Sequence, residues 1–241
     1  MKRYRQVMKS LLQQFGYTCC ATGSLPTGTN PFLDLRRLSM EPKSTIFDVG
    51  AHVGQTAATF CSIYPSARVY CFEPSPETFK TLVQNCASKN VSAVNMAVGS
   101  YVGTTHMYAV KDSLLNSLVA QLNSPRPDSY QVTVGVTTLD QFCEEHDVRH
   151  IDLLKSDTEG YELEVLRGAT RLLTERRIDV IYVECAIARC DRHVSALDLH
   201  EFLKGYGFRL YGLYEQAHYF EPNDGHLWCN ALFVAETAHS V

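Results

Sequence analysis

Two short blocks in this sequence have the residue types and spacing to hold a nucleoside. Asp48-Val49-Gly50-Ala51-His52-Val53-Gly54 closes one apolar run, and Glu73 closes another roughly 20 positions further on. Gly50 and Gly54 let the backbone turn tightly and let a ligand come close. A carboxylate at Glu73 can accept hydrogen bonds from both hydroxyls of a ribose. A second set lies downstream. Lys155, Asp157 and Glu159 alternate along a strand and its exit, so all three can face one side, and Glu184 ends the next strand. Asp157, Glu159 and Glu184 can hold a Mg²⁺-like ion through oxygen ligands. They can equally supply a general base, with Lys155 keeping a carboxylate ionised. The second use is preferred, and His193 is a candidate base on the substrate side. His146 and His150 are four apart, but they fall at the end of a helix and form no metal pair. Glu162 and Glu164 read as solvated helix charges.

The turn discriminates between nucleosides. A dinucleotide site wants G-x-G-x-x-G, which would place glycine where His52 and Gln55 stand. A pyrophosphate would meet side chains there. S-adenosylmethionine has no phosphate, and its methionine end carries an ammonium, which suits Asp48, and a carboxylate, which suits a helix N-terminus. The chain also lacks an obvious Tyr-x-x-x-Lys hydride-transfer set. An NAD-dependent oxidoreductase on a similar fold and a non-catalytic protein that binds S-adenosylmethionine are the two alternatives.

The elements that must carry these residues alternate. Strands are expected at 46–49, 67–72, 91–98, 151–156 and 178–183, with further extended segments at 103–110 and 131–136. Helices are expected at 55–64, 76–88, 139–146, 162–173 and 196–204, with Ser75 capping one and a Thr138/Gln141 capping box opening another. Strands at 208–214 and 228–235 have no helix between them and should form an antiparallel hairpin at one sheet edge. The layout is α/β. It resembles the Rossmann-like class I methyltransferase fold, a mostly parallel seven-stranded sheet with a C-terminal antiparallel hairpin. Residues 1–42 read as an N-terminal helical accessory or lid segment, and 43–241 as the methyltransferase domain.

Specific blocks carry a family resemblance. Asp48-Val49-Gly50-Ala51-His52-Val53-Gly54-Gln55-Thr56, Phe72-Glu73-Pro74 and Asn95-Met96-Ala97-Val98-Gly99 resemble successive blocks of the FkbM-type methyltransferases. So do Thr138-Leu139-Asp140, Ile151 to Gly160 with its Lys-x-Asp-x-Glu-Gly, Val165 to Ala169, and Glu184. The family usually has Asn where His52 stands and an aliphatic residue where Ser156 stands. The resemblance implies an S-adenosylmethionine-dependent methyltransferase, most often acting on oxygen of a sugar, lipid, natural product or other small metabolite. It implies that Asp48, Gly50, Ala51, His52, Gly54, Gln55 and Thr56 line the methionine end, with Asp157 nearby. Glu73 and Pro74 would hold the ribose, Asn95, Ala97 and Val98 would border the adenine, and Ser117 would close over the donor.

Composition limits the partners. The 241 residues include 22 basic and 26 acidic ones, a net charge of −4. That balance gives no footprint for nucleic acid and argues against docking on anionic lipid. The nine cysteines match no zinc spacing and read as reduced thiols of a cytoplasmic protein. Met1 to Phe15 reads as a basic amphipathic helix, which could lie on a membrane. Packing on the domain's edge is the favoured expectation, with no stable membrane insertion. A small-molecule acceptor is expected, and a homodimer is allowed.

Overall fold

A computed structural model describes residues 2–17, 19–87, 90–110, 118, 129–190, 193–218 and 227–236. Ser117 lies outside them. The chain begins with α1 (Lys2–Gln14), α2 (Pro31–Arg37), β1 (Thr45–Val49), α3 (Gln55–Ile63), β2 (Arg68–Phe72) and α4 (Pro76–Asn85). It continues with β3 (Val91–Val94), β4 (Ala97–Val98), β5 (Gly103–Val110), β6 (Ser129–Thr137), α5 (Leu139–Glu145) and β7 (Ile151–Ser156). Then come α6 (Glu162–Arg167), α7 (Thr170–Thr174), β8 (Ile178–Ala186), α8 (Ala196–Lys204), β9 (Phe208–His218) and β10 (Leu227–Ala235).

The main sheet has seven strands in the order β3-β2-β1-β7-β8-β10-β9. β1 pairs in parallel with β2 and β7, and β7 with β8. β10 runs antiparallel to both β8 and β9, so the final hairpin is inserted with its second strand inward. Both sheet faces are covered, as continuous apolar strands require. Phe47, Phe72, Leu154, Ile181 and Val183 pack under α5 to α8 on one face. Ile46, Val69, Leu153 and Val180 pack with Leu35, Ala57, Phe60 and Leu82 on the other. Asp34 of α2 is buried beside Leu35 and accepts a 2.9 Å hydrogen bond from the Tyr214 hydroxyl.

The structure corrects several sequence expectations. The segment 91–98 is not one strand. Asn95 Nδ2 donates to the carbonyls of Glu73 and Pro74 at 2.8 and 3.1 Å. Beyond that turn, Ala97 and Val98 leave for a second, three-stranded sheet, β4-β6-β5. The helix expected at 162–173 breaks at Gly168 into α6 and α7. A Cβ on Gly168 would lie 2.0 Å from the Gly99 carbonyl oxygen, so the two backbones touch there. Ser75 makes no side-chain cap; its N–H goes to Glu73 Oε1 at 2.9 Å instead. Thr138 Oγ1 does accept the Gln141 N–H at 3.0 Å, but the Gln141 side chain turns to Glu145, so the reciprocal half of the capping box is missing. Tyr4, Met8 and Leu11 of α1 are exposed rather than packed on the body, as is Phe15 just beyond it, whereas Leu12 is half-buried.

The Gly168–Gly99 approach gives a direct stability test. Gly168→Ala is expected to lower unfolding free energy by about 1–3 kcal/mol through overpacking against rigid backbone. Gly23→Ala, where an added methyl meets nothing within 4 Å, should leave the urea midpoint nearly unchanged.

Candidate active site

The main-sheet strands β1, β2, β7 and β8 end on a cavity of about 400 Å³. This is the edge where open α/β sheets place ligands. The β1 turn forms one wall. Gly50 (φ 76°) and Gly54 (φ 90°) are left-handed. A Cβ on Gly50 would meet the Asp157 carbonyl oxygen at 1.8 Å, and one on Gly54 would meet Cys86 Sγ at 2.4 Å. The first contact shows the turn after β1 crossing the exit of β7. Gly50, Ala51, His52, Gln55 and Thr56 line the cavity, as do Glu73 and Pro74 on the β2 side and Ala97 and Val98 beyond them.

Glu73 is held in place by the backbone. Its Oε2 accepts the His52 N–H at 3.0 Å and its Oε1 accepts the Ser75 N–H at 2.9 Å. Burial pushes its pKa up to about 7 despite those two bonds. His52 itself has φ 47°, an uncommon angle for a side-chain-bearing residue, which brings its N–H onto Glu73.

The other end of the cavity is charged. Register pairs Asp48 of β1 with Lys155 of β7. Lys155 Nζ lies 3.1 Å from Asp48 Oδ1 and 3.3 Å from Asp157 Oδ2, and donates to the Gly50 carbonyl at 3.3 Å. Burial works to lower the Lys155 pKa, but Asp157 and Asp48 outweigh it and the ammonium is firmly protonated. Burial raises Asp48, with Lys155 opposing. Burial also works upward on Asp157, but Lys155 and a hydrogen bond from Glu184 outweigh it, leaving the carboxyl below its usual range. Glu184 is pushed up to about 10, first by burial and then by Asp157 and Glu159. At neutral pH the set therefore holds an ionised Asp157 hydrogen-bonded to a protonated Glu184.

His193 stands behind this pair. Its Nε2 is 3.9 Å from Glu159 Oε2 and its Nδ1 is 3.8 Å from Glu184 Oε2. One ligand atom from each of Glu159, Glu184 and His193 lies within 4.8 Å of the others. Asp157 is not part of that group.

Against the sequence expectations, Lys155, Asp157, Glu159 and Glu184 all line the cavity, whereas His193 does not. Three residues expected at the donor do not line the cavity. Asp48 is fully buried and pairs with the Lys155 ammonium, its register partner. Gly54 caps α3 against Cys86, and Asn95 pins the Glu73–Pro74 turn; neither lines the cavity. Glu162 is not solvated. It is fully buried, and its Oε1 accepts from the N–H groups of Thr158 and Gly160 and from the Thr158 hydroxyl. It thereby shapes the loop that presents Glu159, itself at φ 53°.

Phe72, Thr78, Met96, Met107, Leu118, Thr158 and Tyr161 also line the cavity. Met96 had a signal, since it lies within the Asn95–Gly99 block. Met107 arrives from the second sheet. Trp228 contributes an aromatic ring to the wall. Among the described residues, nothing before Val49 lines it.

This strand order, with a single antiparallel strand inserted next to the edge and a cavity over the carboxyl ends, is the Rossmann-like class I methyltransferase fold. Residues 48–210 match the family model described as the methyltransferase FkbM domain, and the chain belongs to that family. It is 31% identical over 147 residues to Methyltransferase 1 of Beauveria bassiana, covering 52% of this chain and 58% of that protein. It is 26% identical over 157 residues to the 2-O-methyltransferase NoeI of Sinorhizobium fredii, covering 60% and 64%. The chain thus spans about six-tenths of the length of these relatives. The crystal structure of a FkbM methyltransferase from Methylobacillus flagellatus superposes with a TM-score of 0.50 at 17% identity, covering 81% of this chain and 44% of that one.

The buried charge chain is directly testable. Lys155→Met leaves Asp48 without a counter-charge and is expected to cost about 3–5 kcal/mol of stability near neutral pH. Without the ammonium, the folded-state pKa of Asp48 rises further above its unfolded value. Stability is then present at acid pH and lost as pH rises, so the deficit in chemical denaturation should shrink toward acid pH.

Proposed function

We propose that the protein is an S-adenosylmethionine-dependent O-methyltransferase acting on a hydroxyl of a small molecule. The observation that carries this is the placement of Glu73 and the β1 turn at one end of a single cavity whose other end is an acidic set over β7 and β8. Glu73 would accept the ribose hydroxyls. Ala97 and Val98 would flank the adenine. The methionine end would lie along Gly50 to Thr56, toward Asp157. The cationic sulfonium is favoured by ionised Asp157, while Lys155 sits deeper, between the two aspartates.

Transfer is then a one-step displacement. The acceptor oxygen forms its bond to the methyl carbon as the carbon–sulfur bond breaks, and the donor leaves as a neutral thioether. Alignment of the three atoms supplies most of the rate. The hydroxyl proton must leave as well. Glu159 lines the cavity and can take it, with His193 behind it to share the charge. Glu184 already holds a proton and fixes Asp157. Lys155, with three acceptors around it, has no lone pair to offer and is a positioning residue. A magnesium ion through Asp157, Glu159 and Glu184 fits poorly, because the Lys155 ammonium already occupies Asp157. The name of NoeI, a 2-O-methyltransferase, supports oxygen as the acceptor atom, and Trp228 offers a flat apolar surface for a ring. The chain's net charge of −4 and the acidic cavity favour a small acceptor over nucleic acid.

Two measurements test this. In calorimetric titration, S-adenosylmethionine should bind and NAD should not. Donor affinity should rise with pH up to about 7 and then level off, because the free protein gains stability from protonated Glu73 whereas the ribose favours its carboxylate. Glu73→Gln should abolish that pH dependence and weaken binding roughly 10- to 100-fold. Tight NAD binding without donor binding would overturn the reading. For the chemistry, Glu159→Gln should lower kcat by roughly 100-fold or more while leaving donor affinity intact. A chelator should leave the parent enzyme fully active, and loss of activity restored by a divalent ion would replace the base by a metal.

A further inference from the structure

We propose that α1 is an interfacial anchor that seats on an anionic lipid bilayer, independently of the reading of the cavity. Tyr4, Met8, Leu11 and Phe15 recur at the spacing of one helical face. They are 82%, 61%, 52% and 75% exposed, so nothing among the described residues covers that face. No helix among those residues is long and apolar enough to cross a membrane, so the helix would lie in the interface plane.

Charge selects the occupant. α1 carries Lys2, Arg3, Arg5 and Lys9 and no acidic residue, and Asp34 is the first acid of the chain. A second copy of α1 on this face would bring like charges together. An anionic bilayer satisfies the apolar face and the cations at once, with Tyr4 and Phe15 being ring types that suit the headgroup boundary. The whole-chain charge of −4 argued against lipid only because it averages a cationic helix with a more acidic body. That segregation gives orientation as well, since the body is repelled by the surface that attracts α1. The segment just before α2 is held to it: the Gly28 N–H donates to Asp34 at 2.9 Å, and Arg37 Nη2 donates to the Leu25 carbonyl at 2.7 Å.

The test is co-sedimentation of the full chain with vesicles of phosphatidylcholine alone or mixed with phosphatidylserine. Binding to the mixed vesicles should exceed that to neutral ones by about tenfold or more and should fall in high salt. The double variant Leu11→Glu/Phe15→Glu, and separately Lys2→Gln/Arg3→Gln/Arg5→Gln/Lys9→Gln, should each reduce it to the neutral-vesicle level. Leu11, Phe15 and Lys9 are exposed, so thermal midpoints should stay at the parent value and show that the body is folded. Equal binding to both vesicle types, or binding unchanged in either variant, would overturn the proposal. So would a dimer in solution that Leu11→Glu/Phe15→Glu dissociates, which would make the face a self-association surface.

Discussion

The site depends on one buried ammonium. Lys155 bridges Asp48 at the end of β1 and Asp157 beyond the end of β7, and also holds the Gly50 carbonyl. An isolated charge at that depth would be expelled or neutralised. Three acceptors make it tolerable, and in return it ties the β1 turn to the exit of β7. The same two segments touch at Gly50, where only a hydrogen fits against the Asp157 backbone. Packing and electrostatics therefore fix the same crossing, which positions the cavity floor.

From that crossing the protonation pattern follows. Lys155 keeps Asp157 ionised, and burial first and then that ionised Asp157 push the neighbouring Glu184 toward its protonated form. Adjacent carboxyls pushed to opposite states are a recurring basis for acid–base chemistry. Glu162 acts at one remove. It never meets the cavity, yet its three hydrogen bonds hold the loop at 158–160 in the left-handed bend that delivers Glu159. Glu73, at the far end, is raised to about 7 by burial, which its two backbone donors and the more distant Lys155 only partly offset, and so is titratable near neutrality. One cavity thus has a static charged end and a titratable end at Glu73.

Much of this was legible in the residues because strand ends and glycine turns are local signals. The apolar runs at Ile46 and Ile151, the turn from Gly50 to Gly54 and the acids at Glu73, Asp157 and Glu184 all occur where their short-range context puts them. What escaped depends on long-range geometry. Whether Asp48 faces a ligand or a lysine is decided by β1–β7 register, which the spacing of Asp48 alone does not contain. Glu162 has the sequence context of a solvated N-terminal helix acid, and only the fold of the preceding loop buries it. The break at Gly168 arises from contact with Gly99, almost 70 residues away. Met107 reaches the cavity from the small sheet, whose pairing with β4 requires the turn that Asn95 makes.

The most direct measurement is a crystal structure of the protein soaked or grown with S-adenosylhomocysteine. In that complex the ribose hydroxyls should lie on the Glu73 carboxylate, with the thioether sulfur directed to the Asp157–Glu184 end and Lys155 still between Asp48 and Asp157. A nucleoside bound elsewhere, or one whose ribose leaves Glu73 unengaged while Lys155 turns into the cavity to meet it, would contradict the account at its centre.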